Sequence, residues 1–197
     1  MAEKLVIEIY RNKNSEELTK LIADPGSRLE TGSGAALTAA VAAAYLCRAA
    51  AVSAGEKPGE RADYILRNAE ILRGYMVHLI DEDVKSRGPL NRALKEGGER
   101  EIEAARQPAV SISGEIVNMM GKCLELGREL KELCPPAALH YVRESAETAM
   151  AAARTAVHYI LDMSAKCSDE TYLFVIHREN EITLGRYQPI YAEIVSQ

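Results

Sequence analysis

Residues 35–54 carry one charge, Arg48, in twenty positions, and eleven of the twenty are alanine. No other stretch restricts the fold as tightly. Alanine has the highest helix propensity, so the run predicts a helix. Its short side chains let neighbouring backbones come close, so the helix is expected at the centre, touched on several faces. Ala137–Met163 is a second such stretch, with Ala149, Ala151, Ala152, Ala153 and Ala156, and is read as the last long helix. Low polarity over twenty residues also raises a membrane span. Alanine gives little drive for insertion and Arg48 interrupts the run, so a span is rejected.

Composition supports a packed core. Of 197 residues 47% are apolar, which argues against disorder. With no Trp and only Phe174, the core must be Ala, Leu, Ile, Val, Met and some Tyr. The formal charge of −5 argues against a nucleic-acid-binding surface and leaves room for a local basic pocket. Cys47, Cys123, Cys134 and Cys167 form no C-x-x-C, so they read as free thiols in a reducing, cytoplasmic compartment. The opening MAEKLVIEIYRNKN mixes charges with apolar residues, unlike a signal peptide.

Leu5–Tyr10 reads as a strand, and Asn14–Leu18 as a helix start with Ser15 as its cap. Asp24-Pro25-Gly26 is a turn. The loop SRLETGSG (27–34) feeds the Ala-rich helix. From Glu60 to Ser86, Ile65, Leu66, Ala69, Leu72, Met76, Leu79 and Ile80 keep helical spacing, and Gly88-Pro89 is expected to close that helix. A short piece spans 90–96, and Gly97-Gly98 separates it from a helix over 99–133, which Pro108 should kink or split. Thr171–Ile176 and Ile182–Tyr187 are β-rich and read as a hairpin, with the amino-terminal strand pairing beside it. The expected fold is mainly α: an up-and-down helical bundle with long Ala-rich helices plus a small β element. It is read as one domain over 1–197, with a helical core at 15–167 and peripheral strands at 3–10 and 171–187.

Two places could carry chemistry. The Gly/Ser loop at Gly32, Ser33 and Gly34 presents free N–H groups at a helix N-terminus, which suits an anion or a polar ring edge; a plain cap is the alternative. Asp81, Glu82 and Asp83, followed by Lys85 and Arg87, place three acids near an expected helix end, where the helix dipole disfavours them. Pairing of Asp81 with Lys85 and of Asp83 with Arg87 fits a solvated face; the functional alternative has Asp83 or Asp81 facing a cleft. His78, His140, His158 and His177 show no metal spacing. H-E-x-x-H, G-x-S-x-G and Walker A patterns are absent.

The segments Gly32-Ser33-Gly34-Ala-Ala-Leu37 and Leu79-Ile-Asp-Glu-Asp-Val84, Pro108 through Leu133, and Ala146 through Leu161 follow one another over about 16–165. In this order they resemble the formiminotetrahydrofolate cyclodeaminases and the related methenyltetrahydrofolate cyclohydrolases. Departures stand beside the likeness. Leu29, Glu30 and Thr31 occupy places usually held by Pro and Gly. His140, Tyr141 and Val142 fall where a Ser-Asp-Ala segment is usual. Tyr159 and Met163 fall at a usually Asn-rich helix end, and Ser86-Arg87 replaces a small-aromatic pair.

The resemblance implies a tetrahydrofolate derivative as substrate and a homodimer; from the charge, the hydropathy and the histidine spacing above, no nucleic-acid partner, no membrane and no metal are expected. It implies Asp83, with Asp81, as the catalytic carboxylate beside an amidine-like cation. Gly32, Ser33, Gly34, Arg28, Lys85, Arg87 and His140 would bind substrate, the cations meeting its glutamate tail. Cyclohydrolysis is the preferred reaction over cyclodeamination. The alternatives are a catalytically degenerate member that binds a folate-like molecule or a protein, and an interaction module that pairs through its terminal strands.

Overall fold

The computed structural model describes residues 9–56, 58–165, 167 and 169–196. Among the described residues six α-helices follow one another: α1 Ser15–Ala23, α2 Thr31–Glu56, α3 Glu60–Glu96, α4 Glu99–Leu133, α5 Leu139–Ser164 and α6 Glu170–Val195. Short 3-10 turns stand at Tyr10–Asn12 and Pro136–Ala138.

Helices α2 to α5 run up, down, up and down, and each packs on its neighbours in a closed ring. The register shows in single contacts. Ser33 meets Asp83 across α2 and α3, Tyr75 meets Glu115 across α3 and α4, and Ser145 donates to the Ala42 carbonyl across α5 and α2 (2.9 Å). The alanines do what their size allows. Ala35, Ala36, Ala39, Ala42, Ala43, Ala49 and Ala50 are fully buried on α2, and Ala149, Ala152, Ala153 and Ala156 on α5. Helix α2 is long and apolar enough to cross a membrane by length and composition, and it packs against α3, α4 and α5.

The carboxy-terminal hairpin expected over 171–187 is not formed; these residues lie within α6. Asp169 caps that helix, accepting from the Thr171 and Tyr172 amides (2.9 and 3.0 Å). Ile176, Asn180, Leu184, Tyr187, Tyr191 and Ile194 recur at helical spacing toward α4 and α5. Burial of that stripe overrides the β-preference of Thr, Val and Ile, which depends on context. Tyr187 seats on Gly121, where any Cβ would overlap its ring. The expected amino-terminal strand at 3–10 lies outside the described residues except for Ile9 and Tyr10, and Tyr10 opens a 3-10 turn. Among the described residues there is no strand.

Three helix boundaries also differ. The cap of α1 is Asn14, not Ser15: its side chain accepts from the Glu17 amide while Glu17 reaches back to the Asn14 amide. Helix α3 runs through Pro89 to Glu96, and α4 runs unsplit through Pro108. A proline costs an internal helix about 3 kcal/mol or more, and here packing holds both of its sides. Leu90 and Ala93, beyond Pro89, form a small apolar cluster with Ala105 and Ala109, which flank Pro108.

Candidate functional site

The three adjacent acids of α3 point in three directions, because each helical residue turns about 100° from the last. Helix α3 continues past them to Glu96, so they are not at a helix end and the expected dipole penalty does not arise.

Asp81 faces the amino-terminal segment. Its Oδ1 accepts from the Tyr10 amide (2.7 Å) and the Arg11 amide (3.3 Å), and its Oδ2 lies 3.5 Å from Arg11 Nε. Glu82 faces outward, paired with Lys85 (2.6 Å) and 3.5 Å from His78 Nε2. Lys85 therefore takes Glu82 rather than Asp81.

Asp83 faces the N-terminus of α2 and is fully buried. Its Oδ2 accepts from the Ser33 hydroxyl (2.8 Å) and lies 3.4 Å from Arg87 Nε, one turn along. The expected Asp83–Arg87 pair thus forms, buried rather than solvated. Arg87 is 2% exposed; it pairs with Glu30 and donates to the Arg28 carbonyl (2.6 Å). Gly32 allows the approach, since a Cβ there would lie 2.6 Å from the Asp83 carboxyl carbon and 2.9 Å from Oδ2. Thr31 opens α2, so Gly32, Ser33 and Gly34 sit in its first turn rather than in a loop ahead of it.

Burial pushes the Asp83 carboxyl above the ordinary aspartate range, opposed by Arg87 and by the Ser33 hydroxyl and backbone. Among the described residues, three buried polar atoms here have no hydrogen-bond partner of good geometry: Asp83 Oδ1, Arg87 Nε and Tyr159 Oη. Tyr159, from α5, senses Arg87, Asp83 and Glu30, and burial pushes its phenol up to about 12.

Two grooves flank this cluster. One, of about 530 Å³, includes Leu29, Glu30, Thr31, Gly34, Leu37 and Thr155 in its lining. The other, of about 710 Å³, carries three cations, Arg28, Arg92 and Lys95, and one acid, Glu96, beside Val84 and Gly88.

The fold brings Gly32, Ser33, Asp83, Arg87 and the Arg28 main chain together. It does not bring His140 to them. His140 lies tilted against the Tyr141 ring, and Tyr141 lies under Arg48, fifteen residues beyond Ser33 on α2, or roughly 22 Å along the helix. Glu30 and Tyr159 were not among the residues singled out for the site. Both are positions where the chain departs from the pattern it resembles, and those departures were the available indication. Cys47 and Cys123 offer no thiolate, since burial pushes them up to about 12 and about 11. Among the described residues no three His, Cys, Asp or Glu side chains gather as a metal site.

An antiparallel ring of long helices with a buried Ser–Asp–Arg cluster at one end defines the class: a helical bundle that holds a polar, carboxylate-centred cluster. Residues 15–181 match formiminotransferase-cyclodeaminase, and the chain belongs to that family. The fold is also that of a crystal structure of formiminotetrahydrofolate cyclodeaminase from Thermotoga maritima. The TM-score is 0.85 at 18% identity, over 93% of this chain and 94% of that one. No curated protein matches the chain.

Proposed function

We propose that the chain acts on a one-carbon derivative of tetrahydrofolate, as a methenyltetrahydrofolate cyclohydrolase or a formiminotetrahydrofolate cyclodeaminase. The observation that carries this reading is the buried Asp83, held by Ser33 and Arg87 at the start of α2 in a chain of this family.

In cyclodeamination a folate N–H nitrogen bonds to the formimino carbon, its proton and a second one from a general acid pass to the imino nitrogen, the bond from carbon to that nitrogen breaks, and ammonia leaves the methenyl cation. In cyclohydrolysis water bonds to the methenyl carbon, a ring carbon–nitrogen bond opens and a proton is released. Both pass through an amidine-like cation, which a carboxylate stabilises. The upward push on Asp83 also brings its proton nearer the working range of a general acid or base.

Asp81 serves as the anchor of the amino-terminal segment, and Asp83 as the carboxylate that works on substrate. Arg87 is engaged by Glu30, so the glutamate tail is assigned to Arg28, Arg92 and Lys95 on the cationic groove. Glu30 is the half-exposed group between solvent and Arg87, and it must swing aside to admit a ligand. The same closure favours the second reading, a member that binds a folate without turning it over. Two copies are proposed to meet over the outward face of α2, where Val41 is 43% exposed. The free cysteines suit a reducing, cytoplasmic setting.

The test follows the absorbance of 5,10-methenyltetrahydrofolate, and ammonia release from formiminotetrahydrofolate, with purified protein. Multiple turnovers of either substrate support catalysis. Saturable binding with neither product leaves the binding reading.

A further inference from the structure

Tyr159 is 6% exposed and its hydroxyl is shut from solvent, yet among the described residues no acceptor takes its proton; Arg87, a donor, is the group beside its oxygen. Leaving a buried hydroxyl unpaired costs about 1–3 kcal/mol, and folded proteins pair nearly all such groups. A phenylalanine would fill the same space without that cost. The hydroxyl lies among Arg87, Asp83 and Glu30, one helical turn beyond Thr155, which lines the 530 Å³ groove.

The neighbours restrict what it can do. Arg87 has only donors to offer, so it can give to the phenol oxygen but cannot take the phenol proton. Asp83 Oδ2 is committed to Ser33 and Arg87. Asp83 Oδ1 faces the Cα of Gly32 and is itself unpaired. Had the phenol reached Oδ1, both atoms would be satisfied, and neither is. The proton is left for an acceptor that no described residue supplies. Burial keeps the phenol protonated at neutral pH, so it acts as a donor and not as a base.

We propose that Tyr159 is a substrate-binding residue of the Asp83–Arg87 site, whose hydroxyl donates a hydrogen bond to an acceptor atom of the bound tetrahydrofolate derivative. Arg87 backs the phenol oxygen and polarises it, while Asp83 faces the cationic carbon. The assignment rests on the functional reading above.

The experiment compares wild type, Tyr159→Phe and Tyr187→Phe as full chains. Melting temperature is measured without ligand and across a titration of 5,10-methenyltetrahydrofolate and of tetrahydrofolate. Tyr187, equally buried but seated on Gly121 between α4 and α6, is the control. Losing one hydrogen bond to ligand weakens binding about tenfold. Tyr159→Phe is therefore expected to keep or raise the ligand-free melting temperature while its Kd rises about tenfold; Tyr187→Phe should leave Kd unchanged. A Tyr159→Phe Kd within twofold of wild type overturns the assignment alone. So does a lower ligand-free melting temperature with unchanged Kd, which would place the hydroxyl's partner inside the protein. A wild type that binds neither folate overturns the functional reading, and the assignment with it.

Discussion

Gly32 and Asp83 touch so closely that no side chain fits at position 32: a Cβ there would stand 2.6 Å from the Asp83 carboxyl carbon. One glycine in the first turn of α2 thus admits a carboxylate of α3 to the end of the helix. Gly34, two residues on, has nothing within 4 Å of its Cβ position.

The two glycines give opposite expectations. Gly32→Ala must push the Asp83 carboxylate aside and is expected to cost about 1–3 kcal/mol, the usual range for overpacking. Gly34→Ala adds a helix-favouring residue in open space and is expected to stabilise by about 0.5–1 kcal/mol. Urea unfolding of both variants checks the pair; equal losses would mean that Asp83 is not where the contact puts it.

Asp81 is expected to matter for stability rather than turnover. Asp81→Ala removes the carboxylate that takes the Tyr10 and Arg11 amides. A loss of about 1–3 kcal/mol follows, with faster hydrogen exchange at the Tyr10 amide. Folate turnover should stay within about twofold of wild type. Abolished turnover in a folded variant would return Asp81 to the catalytic group.

Gly121 carries the docking of α6. Gly121→Ala is expected to expel the Tyr187 ring and free the carboxy-terminal helix, seen as lower melting temperature and early proteolysis after residue 170. An unchanged proteolysis pattern would contradict the packing of α6.

The raised Asp83 carboxyl sets the direction of a pH effect. Because its pKa lies above the ordinary aspartate value when folded, this group's stabilising contribution is complete at low pH and is lost as pH rises through the folded pKa. Ionised Asp83 is the form that stabilises a cation, so kcat/KM should fall on acidification through that same raised pKa. An acid limb at or below the ordinary aspartate range would contradict the burial argument.

The helices were legible because their apolar residues recur at three and four and the alanines permit close packing. The LIDED segment was legible as a place that needs partners, since three adjacent acids ask for them. What was not legible is which partner each acid takes: Asp81 binds backbone amides 70 and 71 residues away, and Asp83 binds a serine 50 residues away. The tail misled because Thr171–Ile176 has β-rich composition, while its helical stripe declares itself only against α4 and α5. Pro89 and Pro108 read as breaks because the Leu90, Ala93, Ala105 and Ala109 cluster that supports both is a tertiary contact. Tyr159 read as a departure from a usually Asn-rich helix end; that its buried hydroxyl meets no acceptor among the described residues is visible only in three dimensions.

The most direct test of the account is the rate of 5,10-methenyltetrahydrofolate hydrolysis and of ammonia release from formiminotetrahydrofolate by wild type and Asp83→Asn, with the fold of each checked by circular dichroism. The account predicts turnover by wild type of at least one substrate and a loss of about 100-fold or more in folded Asp83→Asn, the range expected for removing a general acid or base. Full activity in folded Asp83→Asn would contradict it.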